Sequence, residues 1–395
     1  HIDSTRIVWI GHSRGGEGVT RAYDRITDVP PGYTPTFFTV ASIDLISSIA
    51  PTDFLGPASS NPHGANYHFM YGAADGDVSG EPGNDIANGF NIFERAEGFR
   101  SAHYLHGVGH NEFNCCGFND ATGPALIGRP AAQAIAKGYY LAVIERYIDG
   151  SHAAKDFLWR QYERLRPIGA LGTAVVDLEY KEPPPTGKFV IDDYQTQPAL
   201  GTSSSGGTVT ANVTNGVEGL INDNDLSFTW LAGDPMNGMS RARTNDSTRA
   251  IVFDAAAGQA RTMAWSVVPA QQDFSGKTYL SFRACQGTRH PLTTALLADA
   301  AWHVVLRDTA GNTSPAIRFD IFGGGIEEPY QRTGEGAGAG WQNEFETIRI
   351  RLTDFLTNGS PLDLTQIASV RFGWRTGANQ AKRLGFDDLE VTTDP

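Results

Sequence analysis

Apolar and polar positions change their period once along this chain. In the first half, short β-type apolar runs alternate with segments whose apolar residues recur at helical spacing. The run Arg6–Ile10 predicts a strand, Gly15–Ile26 a helix, Phe37–Ile49 an apolar β-branched stretch, and Tyr67–Tyr71 a further strand. Residues 130–147 predict another helix: Pro130 sits in its first turn, and Ile135, Tyr139, Ala142, Val143 and Tyr147 share one face. Strands separated by helices predict a parallel sheet of α/β type.

After Tyr180 the period becomes two. Ile317, Phe319 and Ile321 alternate with Arg318 and Asp320; Ile348, Ile350 and Leu352 with Arg349 and Arg351; Val370, Phe372 and Trp374 with Arg371 and Gly373. Each run predicts a half-buried strand, and turn-rich intervals such as residues 323–340 separate them, which predicts an antiparallel all-β sandwich. Three consecutive prolines, Pro183–Pro185, fall at the change. They follow what reads as a helical stretch and mark residues 181–188 as a linker between a first domain, 1–180, and a second, 189–395.

Composition narrows the picture in three ways. The chain has 395 residues, 40% of them hydrophobic, which is enough for two ordinary cores, and it shows no apolar run long enough for a membrane-spanning helix. A formal charge of −13 argues against a polyanionic partner, so nucleic acid is not expected. Cys115, Cys116 and Cys285, an odd number with one adjacent pair, define no disulfide framework.

The chemistry concentrates in three short stretches. Ile7–Gly18 reads IVWIGHSRGGEG: an apolar strand run, a sharp glycine turn at Gly11-His12-Ser13-Arg14-Gly15, and a glycine-rich helix start. Phe69–Gly80 places Asp75 in a Gly-x-x-Asp-x-x-Val pattern, with Asp77 two residues on. Tyr104–Asn114, YLHGVGHNEFN, offers His106 and His110. A serine hydroxyl is a poor nucleophile unless a histidine takes its proton and a carboxylate orients that histidine, so the three stretches together offer a complete set.

Gly11–Gly15 resembles the nucleophile elbow of the α/β-hydrolase superfamily, and the order Ser, acid, His is similar to that superfamily's. The resemblance implies Ser13 as nucleophile, Asp75 as the acid and His110 as the base, the last in a stretch similar to the Gly-x-x-His-Asn-x-Phe-Asn of bacterial hydrolases. Asp77 is the nearer rival for the acid, and Asp53, after the preceding strand run, the more remote one. His103 and His106 are expected in strand-end or core positions. The Arg14 N–H is implied as an oxyanion donor and His12 as a residue lining the substrate site, with no cofactor for catalysis. The resemblance covers about the first 170 residues and begins at the fifth of the family's usual eight strands. It therefore implies that the N-terminal half of the sheet and a second oxyanion donor lie elsewhere, and that this chain alone is inactive or aggregates.

Residues 189–391 look like the galactose-binding-like jelly roll of carbohydrate-binding modules. FVIDDYQ near the start and LGFDDLEV near the end are two acidic strands able to pair. This second resemblance implies a structural calcium, with Asp192, Asp193, Asp387 and Asp388 as oxygen ligands, and a carbohydrate partner met by Trp230, Trp302, Trp341 or Trp374. The expected fold is thus a partial α/β-hydrolase sheet plus a jelly-roll sandwich. The expected function is hydrolysis of carboxylic esters, on a polysaccharide or polyester, by a secreted or cell-surface bacterial-type protein. The alternatives are a carbohydrate-binding or adhesion protein with an inactive hydrolase fragment, and a serine peptidase of the same fold.

Overall fold

The computed structural model describes residues 3–393 except 79–88, 119, 124, 161–170, 184–186, 197–198, 222–248, 256–257, 287–301, 319–325, 328–329, 332–340, 343–344 and 376–381. Phe319, Ile321, Trp230 and residues 184–186 of the proline linker therefore lie outside the described residues. The chain divides into two compact units, His1–Pro184 with Tyr330–Gly334, and Pro185–Pro329 with Glu335–Pro395.

The first unit is built on a five-stranded sheet in sequential order: β1 (Ile7–His12), β2 (Ile43–Ile49), β3 (Tyr67–Gly72), β4 (Arg100–Leu105) and β5 (Val176–Lys181). The pairs β1–β2, β2–β3 and β3–β4 are parallel, whereas β5 runs antiparallel to β4. The sheet is therefore mixed, and the residues before the prolines form a strand where the sequence suggested a helix. The apolar stretch from Phe37 is also only half strand: Val40–Ser42 makes a 3-10 turn and the extended chain begins at Ile43.

Helices α1 (Arg14–Thr27), α2 (Phe90–Arg95), α3 (Arg129–Tyr147) and α4 (His152–Arg160) complete the unit. The strands are apolar because both faces of β2 to β4 are covered. On one side Tyr23, Ile46, Phe69, Tyr71 and Phe93 form one buried cluster. On the other, Leu45, Met70, Leu105, Ile135, Tyr139 and Leu158 form a second. Among the described residues β1 pairs only with β2, so it is an edge strand, and Ile10 is 45% exposed. Parallel strands end together, which brings the loops after β1, β3 and β4 to one end of the sheet.

The second unit is a β-sandwich of two antiparallel sheets. One is ordered Ile317–Arg318, His303–Asp308, Ile367–Arg375, Ala260–Ser266 and Val209–Ala211. The other is ordered Glu346–Arg351, Tyr279–Gln286, Lys382–Thr392, Arg249–Ala255 and Thr214–Leu220. The two acidic strands do pair, antiparallel, with Leu389 opposite Asp192. Between the sheets Phe282 and Phe386 meet Phe372 at ring distances of 4.9 Å each, and Trp265 stacks on Phe386 at 5.5 Å.

Alternation within these strands has an outcome the sequence did not suggest. The polar positions Arg283, Thr347, Arg349, Arg383, Asp387 and Glu390 are buried, as are the apolar positions between them. Ion pairs make this tolerable: Arg283 with Asp387 and Asp388, Arg383 with Asp254, and Lys188 with Glu390.

Candidate active site

The turn between β1 and α1 carries Ser13 in a conformation that a residue with a Cβ rarely adopts, φ 58° and ψ −127°. The chain is held there by the Ser13 N–H, which donates to Ile49 O at 2.9 Å, and by the Gly16 N–H, which donates to Ser13 O at 2.9 Å. Glycine is required at two neighbouring positions. A Cβ on Gly11 would stand 2.0 Å from Gly15 O, and one on Gly16 would meet the Pro51 side chain at 2.9 Å. Gly15 and Gly18 have open space, so a Cβ at either position would meet no neighbour. Arg14 opens α1, and its amide belongs to the first turn, whose N–H groups lack intrahelical acceptors.

The loops after β3 and β4 supply a carboxylate and an imidazole in contact. Asp75, fully buried, accepts from His110 Nδ1 through Oδ2 at 2.8 Å. Its other oxygen accepts the N–H groups of Asp77 at 2.9 Å and Val78 at 2.7 Å. These contacts fix the orientation of Asp75, and a proton on His110 Nδ1 leaves Nε2 as the acceptor. Burial of the His110 ring lowers its pKa, but the hydrogen bond and charge of Asp75, joined by Asp77 and Asp120, outweigh it and hold the pKa above the ordinary imidazole value.

The rival carboxylates are otherwise placed. Asp77 is largely exposed, and its Oδ2 lies 3.7 Å from His110 Nε2, the opposite side of the ring from Asp75. Asp53 is buried in a two-pronged pair with Arg95, at 2.5 and 2.9 Å, and receives the Ser60 hydroxyl. His106 Nε2 meets Asp177 at 3.1 Å, and its ring lies beside Tyr330, which donates to Thr122 O. His103 is buried between His68 at 2.9 Å and Leu158 O at 3.1 Å.

His12 links the serine turn to the histidine loop. Its Nε2 lies 3.2 Å from His110 O, and the two rings are 4.5 Å apart, with Phe113 behind. Burial, then the charge of His110, pushes the His12 pKa down to about 4, so the ring is neutral near pH 7. The ring that the sequence suggested as substrate-lining also braces the backbone of His110.

Two residues that sequence reasoning missed complete the frame. Asp120 accepts the N–H of His110 and that of Asn111, each at 2.9 Å, and the N–H of Gly76 at 3.3 Å, so one carboxylate ties the acid loop to the base loop. Glu17, buried in α1, accepts the Thr52 hydroxyl at 2.8 Å and the Leu55 N–H at 2.6 Å. This holds the loop after β2 beside the turn, where the Arg14 guanidinium lies 5.3 Å over the Phe54 ring.

In the second unit, the four aspartates suggested as calcium ligands do not fit that role. Asp192 is taken by the Trp265 Nε1–H at 2.9 Å and by the N–H groups of Ser204 and Tyr194. Asp193 caps its own turn through Gln195 N, while Asp387 and Asp388 both pair with Arg283. Trp302 is buried in the sandwich core, so it is not a sugar-stacking surface; the side chains of Trp341 and Trp374, like Trp230, lie outside the described residues.

No family model matches the sequence, and neither does any curated protein. Among solved structures, the family 11 carbohydrate-binding module of a Clostridium thermocellum cellulosomal cellulase is similar at 12% identity over 53% of this chain and 95% of that one, with a TM-score of 0.28. A family 30 module from a second Clostridium thermocellum cellulosomal cellulase gives 12% identity over 52% of this chain and 98% of that one, with a TM-score of 0.29. A β-1,2-glucanase from Parabacteroides distasonis gives 12% over 53% of this chain and 25% of that one, at 0.30. The sandwich assignment rests on its own strand pairing and core. No helix among the described residues is long and apolar enough to cross a membrane.

Proposed function

We propose that the first unit is a serine hydrolase of the α/β-hydrolase type that cleaves carboxylic esters through an acyl-enzyme. The observation that carries this reading is the strained Ser13, whose neighbour His12 touches His110 while His110 is held by the buried Asp75. In this mechanism His110 Nε2 accepts the Ser13 hydroxyl proton as Ser13 Oγ attacks the ester carbonyl carbon. The Arg14 N–H meets the developing oxyanion. His110 then gives its proton to the leaving alcohol, and the acyl-enzyme is resolved by a water that His110 deprotonates. Exposed Phe54 and Leu55, held beside the turn, offer apolar surface to an acyl group.

The second unit, on this reading, holds the enzyme on an esterified polysaccharide or polyester outside the cell. The test is hydrolysis of a p-nitrophenyl ester by the full-length protein, beside retention on insoluble polysaccharides. Ser13→Ala and His110→Ala are each expected to lower kcat by about 10⁶, with the double variant little worse than either. Turnover by Ser13→Ala at the parent rate would refute the hydrolase reading. If polysaccharide retention remained, the protein would be a carbohydrate-binding or adhesion protein instead. Preference for amides over esters would make it a peptidase.

A further inference from the structure

The loop that carries His110 also carries the only adjacent cysteine pair in the chain. Cys115 and Cys116 are both exposed, and their sulfurs lie in contact, 2.7 Å apart. The surrounding loop is tied down on each side of them. Asn114 O accepts from Gln133 Nε2 at 2.8 Å, and the Asn114 side chain donates to Asn111 Oδ1. Arg129 donates to both Asn111 O and Gly117 O at 3.3 Å. Asp120 then holds the amides of His110 and Asn111. The backbone on either side of the two thiols is therefore joined to the backbone of the candidate base by a few short hydrogen bonds.

We propose that Cys115 and Cys116 form a thiol–disulfide switch whose oxidation resets the loop holding His110. A low-molecular-weight disulfide is the oxidant. The Cys115 thiolate attacks one of its sulfurs, breaking the reagent's S–S bond and releasing one small thiol. The Cys116 thiolate then attacks the Cys115 sulfur, forming the Cys115–Cys116 bond and releasing the second small thiol. Two electrons and two protons pass from the protein pair to the reagent, with no other reactant needed.

Adjacent residues make such a bond a switch and not a staple. Their Cα atoms are held about 3.8 Å apart by the peptide unit, short of the roughly 4.4–6.8 Å at which disulfides ordinarily sit. Closing the ring is therefore expected to twist the Cys115–Cys116 peptide and to loosen the neighbouring contacts of Asn114 O with Gln133 and of Gly117 O with Arg129. A strained and exposed disulfide is also readily reduced again.

The inference builds on the hydrolase reading for its consequence, but its test does not need turnover. The full-length protein is equilibrated with oxidised glutathione, and separately with dithiothreitol, then compared by peptide mass, thiol titration and amide hydrogen exchange. Native titration is expected to count two reactive thiols in the reduced form and none in the oxidised, with buried Cys285 appearing only after denaturation. The peptide spanning 101–129 is expected to be lighter by two hydrogens and to carry no glutathione. Exchange at the His110 and Asn111 amides is expected to become about tenfold faster on oxidation, to recover on reduction, and to ignore the oxidant in the Cys115→Ser/Cys116→Ser double variant. A persistent glutathione adduct, a bond from either residue to another cysteine, or a Cys115–Cys116 bond with unchanged exchange would each overturn the proposal. None of these readouts depends on ester cleavage, so failure of the hydrolase reading would be seen separately.

Discussion

Ser13 keeps its φ of 58° because the strand before it and the helix after it leave the chain no other path. Strain of this kind is typically worth about 1–3 kcal/mol. Ser13→Gly is accordingly expected to raise stability by about 1 kcal/mol, read by chemical denaturation, while abolishing ester cleavage. Asp77 offers a different test. Its carboxylate faces His110 Nε2 from the exposed side and helps to hold the imidazolium, while the base must be neutral to act. The acid limb of kcat/KM is therefore expected above pH 6.5, and Asp77→Asn is expected to move it to lower pH; a limb that stays in place would show that Asp77 does not set it. Ser13, Asp75 and His110 are legible in the sequence because each stands in a glycine-marked turn after an apolar run. Asp120 is not legible, since it works through the backbone N–H groups of His110 and Asn111, a service any loop aspartate can give.

The turn from β1 to α1 shows how closely an element depends on single atoms. Gly11→Ala sets a methyl against the Gly15 carbonyl and is expected to cost about 3 kcal/mol. Gly18→Ala, facing open space in the same helix, is expected to gain about 0.5–1 kcal/mol. Equal effects of the two in denaturant titration would mean that the turn is not as tight as described. Strand β5 shows why some elements escape a reading by period. Val176, Leu178 and Tyr180 alternate with Asp177, Glu179 and Lys181, yet Asp177 and Glu179 are buried too, Asp177 against His106. In the sandwich the same thing happens to Arg283, which lies opposite Asp387 in the strand register. Alternation marks these strands, but which charges meet depends on register, and that is set by contacts between distant segments.

Taken as a molecule, the protein joins a mixed α/β unit and an all-β unit, and both architectures are visible in the change of hydrophobic period. The buried polar groups behind its pH dependence are much harder to read. His68 joins Ser47 and His103 in a buried chain, and burial lowers the pKa of His103 to about 3 and that of His68 well below its ordinary value. Between those folded values and about 6.5 the unfolded chain binds protons that the folded chain does not, so stability is expected to rise with pH through this window and to fall as acid is added. Unfolding midpoints of the full-length protein from pH 4 to 7 would show it, and a flat profile would contradict it.

The proposed hydrolase chemistry depends on Ser13 being an activated nucleophile. Treating the full-length protein with a fluorophosphonate and mapping the adduct by peptide mass is the decisive step. The expected result is one adduct, on Ser13, absent from Ser13→Ala and formed at least about 10²-fold more slowly in His110→Ala. An adduct on another serine, or labelling of Ser13 at an unchanged rate without His110, would mean that the turn, the histidine and the aspartate do not act together.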